Sequence, residues 1–128
     1  MVILPLLTEL NNYTSEEILI YRREEMAKRK NYKCVGMYIN NVLVGISGLW
    51  FLVRHYFGKN IAPDHFVISS AYRNKGLGKL LFEWIYNYAQ KHGYEASELN
   101  TYIENKKSHK FYENEGYKKL GFHYLKKF

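Results

Sequence analysis

The residues Asp64-His65-Phe66-Val67-Ile68-Ser69-Ser70-Ala71-Tyr72-Arg73-Asn74-Lys75-Gly76-Leu77-Gly78-Lys79 are the part of this chain best suited to chemistry. An apolar strand runs into a basic loop with glycine at two alternate positions, and an amphipathic helix follows at once. Such a junction aims several backbone N–H groups and the positive end of a helix dipole at one spot, a seat for a phosphate or pyrophosphate. A side chain at Gly76 or Gly78 would obstruct the ligand, and glycine tolerates the positive φ at which such a loop folds back. Two familiar phosphate loops do not fit. The P-loop needs a glycine where Arg73 stands and Ser or Thr where Leu80 stands, and the dinucleotide fingerprint needs a third glycine at Leu81.

What remains is Arg-x-x-Gly-x-Gly, from Arg73 to Gly78. It resembles the acyl-CoA-binding loop of the GCN5-related N-acetyltransferases (GNAT), written (Arg/Gln)-x-x-Gly-x-(Gly/Ala). A second segment follows one helix and one apolar strand later: Asn105-Lys106-Lys107-Ser108-His109-Lys110-Phe111-Tyr112-Glu113-Asn114-Glu115-Gly116-Tyr117. It resembles the same superfamily's Asn-x-x-(Ala/Ser)-x-x-Phe-Tyr-x-x-x-Gly-(Phe/Tyr) pattern. The resemblance spans about residues 62 to 124 and implies a GNAT-like acyl-CoA N-acyltransferase fold, an α/β architecture with a central mixed sheet flanked by helices.

The resemblance also implies roles. The strand before the loop would part from its parallel neighbour, and main-chain groups of Phe66, Val67 and Ile68 would hold the pantetheine arm and meet the oxyanion. Asn74, Lys75, Gly76, Leu77, Gly78 and Lys79 would wrap the pyrophosphate, with Arg73 at its mouth. Plain solvated loop charge is the other reading of Arg73 and Lys75. Tyr112 matches the family tyrosine that protonates the departing thiolate, although a packed core aromatic is the simpler role for any tyrosine. Asn105 matches a CoA-contacting asparagine and also suits the N-cap of the helix after it. Lys106, Lys107 and Ser108 are further CoA contacts. Asp64 stands where polyamine acetyltransferases of this superfamily carry a glutamate base, and a solvent-facing strand-edge aspartate is the alternative. Strand alternation would put Asp64 on one face with Phe66 and Ile68, and His65 on the other. His55 or His65 could replace it as base, and Glu98 and Glu104 could orient a cationic acceptor.

The expected reaction is acetyl transfer from acetyl-CoA to a primary amine of a small molecule or protein, by direct attack in a ternary complex. A longer acyl donor is an option within the same class. Cys34 lies far in sequence from the loop, which argues against a Cys-linked acyl-enzyme. A CoA-binding sensor without turnover and a basic nucleic-acid-binding domain are the rival readings. The net charge of +7 favours an anionic partner such as CoA. The basic residues are spread thinly and no RNA-binding or C₂H₂ signature appears, so nucleic acid ranks below CoA.

The elements that must position these residues can be read from the pattern. At 128 residues one acetyltransferase domain is expected, long enough to bury a core. A single cysteine forms no internal disulfide or Cys-based zinc site, and the five histidines lack metal-ligand spacing, so no metal is expected. No signal peptide or membrane span is legible, and a cytoplasmic location is the default expectation. The oligomeric state stays open, a homodimer being one option. Residues 2–10 read as a short helix holding Pro5 or as a reduced strand standing in for the family's first strand. Thr14-Ser15-Glu16-Glu17 reads as a capping box for a helix to about Lys30. Strands are expected over Cys34–Ile39 and Val42–Val53 joined at Asn40-Asn41, over Asp64–Ser69 after a loop with Gly58 and Pro63, and over Leu99–Ile103 and Tyr117–Leu125. Leu77, Leu80, Leu81, Trp84, Ile85, Tyr88 and Ala89 mark a helix ending before Gly93, and a last helix runs from about Lys106 to Glu115.

Overall fold

The computed structural model describes residues 3–11 and 13–128. Helix α1 (Leu4–Leu10) carries Pro5 in its first turn, where a missing N–H loses no bond. Its neighbour Ile3 and its own Leu6 and Leu7 are buried against Ile46 and Val67. The ambiguous opening segment is therefore helical, Val2 lying outside the described residues, and no described strand precedes it. Helix α2 (Glu16–Ala27) is capped by Ser15, whose hydroxyl accepts from the Ile18 N–H at 3.4 Å. The cap thus falls one residue later than Thr14, and the helix ends short of Lys30.

Strands β1 (Tyr32–Ile39) and β2 (Val42–Arg54) form the expected hairpin, with Asn40 and Asn41 at φ 49° and 65° as a tight turn of that hand requires. Strand β3 (Gly58–Ile68) returns antiparallel to β2 and includes Gly58 and Pro63, which sequence reasoning assigned to a loop. Helix α3 (Leu77–Lys91) then crosses to the two-residue β4 (Ala96–Ser97), parallel to β3, and α4 (Lys106–Asn114) follows. The result is a mixed four-stranded sheet in the order β1-β2-β3-β4 with helices against it.

Two expected strands do not form: neither Leu99–Ile103 nor Tyr117–Leu125 joins a sheet among the described residues. For the first the cause is local. Glu95 N–H reaches Lys59 O at 2.7 Å and Glu98 N–H reaches Ile61 O at 3.2 Å, so residues 59 and 61 turn their main-chain groups toward β4. The next residue in that alternation is Pro63, which has no N–H to donate, and the ladder ends.

The larger core lies between the sheet and α3, where Leu81, Ile85 and Ala89 pack against Leu49 and Ile61. Phe82 is fully buried beside it, with ring centroids 4.6 Å from Phe66, 5.6 Å from Phe111 and 5.9 Å from Tyr112. One aromatic cluster thus joins β3, α3 and α4 and fixes where α4 holds its tyrosine.

Candidate active site

Opposite Ser47, β3 carries one residue too many. Gly48 pairs with Asp64 and Ile46 with Val67, so His65 and Phe66 form a β-bulge, and His65 takes φ 37°. Cross-strand partners share a face, which puts Asp64 with Gly48, Ile46 and Val67 on the α1 side. Phe66 and Ile68 pack on the α3 side. The expected alternation of Asp64 with Phe66 and Ile68 is overturned, because the extra residue shifts the period by one. His65 does not oppose Asp64 either: its ring lies over Gly48, where any Cβ would overlap it.

Four groups hold the bulge. The Tyr32 hydroxyl hydrogen-bonds His65 Nε2. Asp64 accepts from the His65 backbone N–H at 2.8 Å and from Trp50 Nε1 at 3.0 Å. Burial pushes the His65 imidazole below its usual pKa, against the pull of the Asp64 carboxylate, and burial likewise raises the Tyr32 phenol. The bulge also re-aims the main chain. Ser69 N–H bonds Val44 O on β2 at 2.7 Å, so by alternation Val67 faces β2 as well. Phe66 and Ile68 then face the gap that opens past Pro63, whereas an unbulged strand would turn both to β2.

A pocket of about 260 Å³ occupies this gap, lined on one side by Trp50, Pro63, Asp64, His65 and Phe66 and on the other by Glu98, Leu99, Asn100 and Tyr112. Arg54 also lines it and grips Glu98 with two contacts, 3.0 and 3.4 Å. Burial, assisted by nearby Tyr117, raises the Tyr112 phenol, so it keeps its proton at neutral pH. His55 and Glu104 do not line the pocket. Sequence reasoning missed Tyr32, Gly48, Trp50 and Arg54. A glycine inside the β2 run, Gly48, is a signal of a bulge beside it, one that Gly45 in the same strand shares.

Beyond β3, no backbone N–H from Arg73 to Lys79 has a partner among the described residues. Gly76 caps α3 at φ 75° and Asn74 sits at φ 62°. A Cβ at Gly76 would meet nothing, and one at Gly78 would touch only the Phe111 and Phe66 rings at 3.6–3.7 Å. Packing does not demand these glycines, and the space before Gly76 is open. Arg73 is turned inward: Nε donates to Ile68 O at 3.0 Å and Nη2 approaches Glu9 at 3.4 Å, bracing the loop against α1. Lys75 lies over the Tyr72 ring at 5.5 Å, and Lys79 reaches Glu115 at 3.4 Å. At α4, the Asn105 side chain accepts from Ser108 N–H at 3.2 Å, the N-cap role, with Lys106 and Lys107 exposed beside it.

A model of the acetyltransferase (GNAT) family matches residues 3–117. The uncharacterized N-acetyltransferase YhdJ of Bacillus subtilis (strain 168) is 25% identical over 118 residues, 92% of this chain and 80% of that protein. The ribosomal-protein-alanine N-acetyltransferase from Brucella melitensis biovar Abortus 2308 superposes with a TM-score of 0.81 at 19% identity, over 99% of this chain and 90% of the other. The aminoglycoside N-acetyltransferase AAC(6')-Iy, solved with CoA, gives 0.82 at 13% identity, over 98% and 86%. At such identities the likeness to solved structures is one of fold. The family match covers nearly the whole chain, on a fold that solved acetyltransferases share: this chain belongs to the acetyltransferase (GNAT) family.

Proposed function

We propose that the chain works as one acetyltransferase domain, moving an acetyl group from acetyl-CoA to a primary amine of a small molecule or protein within a ternary complex. The observation that carries this reading is the parting of β3 from β4 past Ile61, beside a run of unpartnered amides from Arg73 to Lys79. A diphosphate suits those amides and the positive end of α3. Asn74, Lys75, Gly76, Leu77, Gly78 and Lys79 hold it, while Arg73 acts one step removed by keeping the loop closed on α1. Phe66 and Ile68 offer main-chain groups to the pantetheine arm, and the Phe66 N–H is the donor for the developing oxyanion. Val67 supports them from the β2 side. Asn105, Lys106, Lys107 and Ser108 at the start of α4 complete the donor site.

The amine nitrogen forms its bond to the thioester carbonyl carbon as the carbon–sulfur bond breaks. Tyr112 gives its proton to the departing sulfur, a role worth about 10²–10⁴-fold. The amine's proton leaves through a water held by Asp64, whose carboxylate Trp50 and the His65 amide keep at the pocket wall. The His65 Nε2 bonds the Tyr32 hydroxyl, and Nδ1 is buried without a partner among the described residues, so neither nitrogen faces the acceptor, which favours Asp64 over His65 as the proton acceptor. Free thiol released from acetyl-CoA in the presence of a panel of primary amines tests the reading. Amine-dependent release supports it; CoA binding with no release across small amines, peptides and protein N-termini overturns it.

A further inference from the structure

Helix α4 carries Tyr112 to the cleft, yet none of its nine residues is fully buried. Apolar contact is non-directional, so by itself it leaves such a helix free to turn or slide a little. Two polar ties at the far end of α4 supply direction. Glu115, its C-cap, turns a carboxylate back onto α3, where the side chain is only 7% exposed. One oxygen accepts from the Tyr86 hydroxyl at 3.0 Å and the other meets Lys79 Nζ at 3.4 Å. Burial, joined by nearby Tyr117 and Glu115, pushes the Tyr86 phenol upward, so it stays a donor. The second tie follows Gly116, whose φ of 97° brings Tyr117 back toward α4. The Tyr117 N–H bonds Tyr112 O at 3.0 Å, and its hydroxyl hydrogen-bonds Ser97 Oγ of β4 at 2.7 Å. Tyr112 O also accepts from the Glu115 N–H at 3.1 Å, so both ties meet at the peptide of Tyr112.

Resting on the acyl-transfer reading above, we propose that Glu115 is a positioning residue: its carboxylate joins the first turn of α3 to the end of α4, so that gripping the donor and aiming Tyr112 are coupled. Three features set it apart from a surface ion pair. Such a pair leaves both partners in water and contributes little. Here the carboxylate is buried, and stripping a buried carboxylate of its partners is costly, so the contact holds α4 to α3 firmly. The two residues it joins also stand at the two ends of the donor site. Lys79 closes the run of free amides offered to the diphosphate. Glu115 is three residues from Tyr112, at the end of the same helix. A shift of the loop helix is thereby passed to the tyrosine that faces the sulfur.

Amide hydrogen exchange on the full chain, with and without CoA, reads the coupling without recourse to catalysis. In the native chain CoA should slow exchange at 73–79 and at 109–117 alike. In Glu115→Ala the slowing at 73–79 should remain and that at 109–117 should vanish; Tyr86→Phe, which keeps the ring and removes one bond, should lose part of it. Turnover is the second readout. Glu115→Ala should lower kcat by up to about 10²-fold, the cost of a displaced catalytic group, with little change in KM for acetyl-CoA. Glu115→Gln, whose amide oxygen still accepts from Tyr86, should recover much of that loss. Because the effect passes through Tyr112, adding Glu115→Ala to Tyr112→Phe should cost little more than Tyr112→Phe alone. Full multiplication of the two losses would reduce Glu115 to a stabilising contact, and slowing at 109–117 that survives Glu115→Ala would break the link; either result overturns the proposal. Both protections in a native chain that releases no thiol with any amine would support the link and overturn the acyl-transfer reading instead.

Discussion

The proposed donor side of the cleft, residues 73–79 with the start of α4, differs in construction from the proposed acceptor side around Trp50, Asp64 and Glu98. The donor side is main chain: consecutive amides left free by a left-handed turn at Asn74, a second at Gly76, and a helix start. Its side chains mostly brace, Arg73 to α1 and Lys79 to Glu115. The acceptor side is side chain, brought from β2, β3 and the segment after β4, and held by a buried bulge. Backbone sites recur with the same glycine pattern wherever the same geometry is needed. Side-chain sites are free to differ, which suits a family that shares a donor and varies its acceptors.

The contrast can be broken at the point where both sides meet. Phe82→Ala empties the aromatic cluster that ties β3, α3 and α4 together and should cost about 3–5 kcal/mol in urea unfolding, taking CoA binding and turnover down together. Retained turnover at full stability would show that α4 is positioned some other way. The donor side alone is probed by Gly76→Asp, which places a carboxylate among the free amides at φ 75°. CoA affinity by titration calorimetry should fall by about 10²-fold or more, for a strain of only about 1–2 kcal/mol in the fold.

Tyr112→Phe separates chemistry from donor binding: turnover should fall about 10²-fold with CoA affinity nearly unchanged. A loss of affinity at constant turnover would remove the general-acid role. Gly48→Ala acts through the bulge, which both sides share. Its Cβ forces the His65 ring away, about 1–3 kcal/mol of stability should go with it, and because Phe66 and Ile68 lose their aim, turnover should drop more than the affinity for CoA, whose diphosphate would still meet residues 73–79. The smallest effect is in pH. Burial holds His65 below its unfolded value of 6.5, so its contribution to stability is complete above that pH and shrinks as pH falls below it, toward the folded value. His65→Gln should flatten that part of the stability profile; an unchanged slope would assign it to another group.

Much of the frame was legible before any coordinates. The α3 helix, the Asn40-Asn41 turn, the Gly93 stop and the Asn105 cap all follow from local rules, and the structure has them; of the expected α3 stripe, Leu81, Ile85 and Ala89 are buried, whereas Leu80 and Trp84 face outward, 53% and 46% exposed, and Phe82 takes a core place instead. The failures share one cause. Leu99–Ile103 and Tyr117–Leu125 have strand composition, yet a strand exists only where a neighbour supplies hydrogen bonds, and Pro63 withholds one neighbour while residues 118–125 have none among the described residues. The face of Asp64 was misread for a related reason: alternation assumes an unbroken ladder, and a bulge is a property of two strands.

What the sequence determined by itself is the loop proposed to seat a diphosphate, because a run of free amides at a helix start needs only short-range backbone geometry, and that geometry is written in neighbouring residues. What the tertiary structure alone decided is which groups look into the cleft. Gly48 on β2 leaves room for the His65 ring, the ring fits an extra residue into β3, and that residue turns Phe66 and Ile68 toward the gap. Those residues lie in different strands, and their spacing carries meaning only after the sheet has paired.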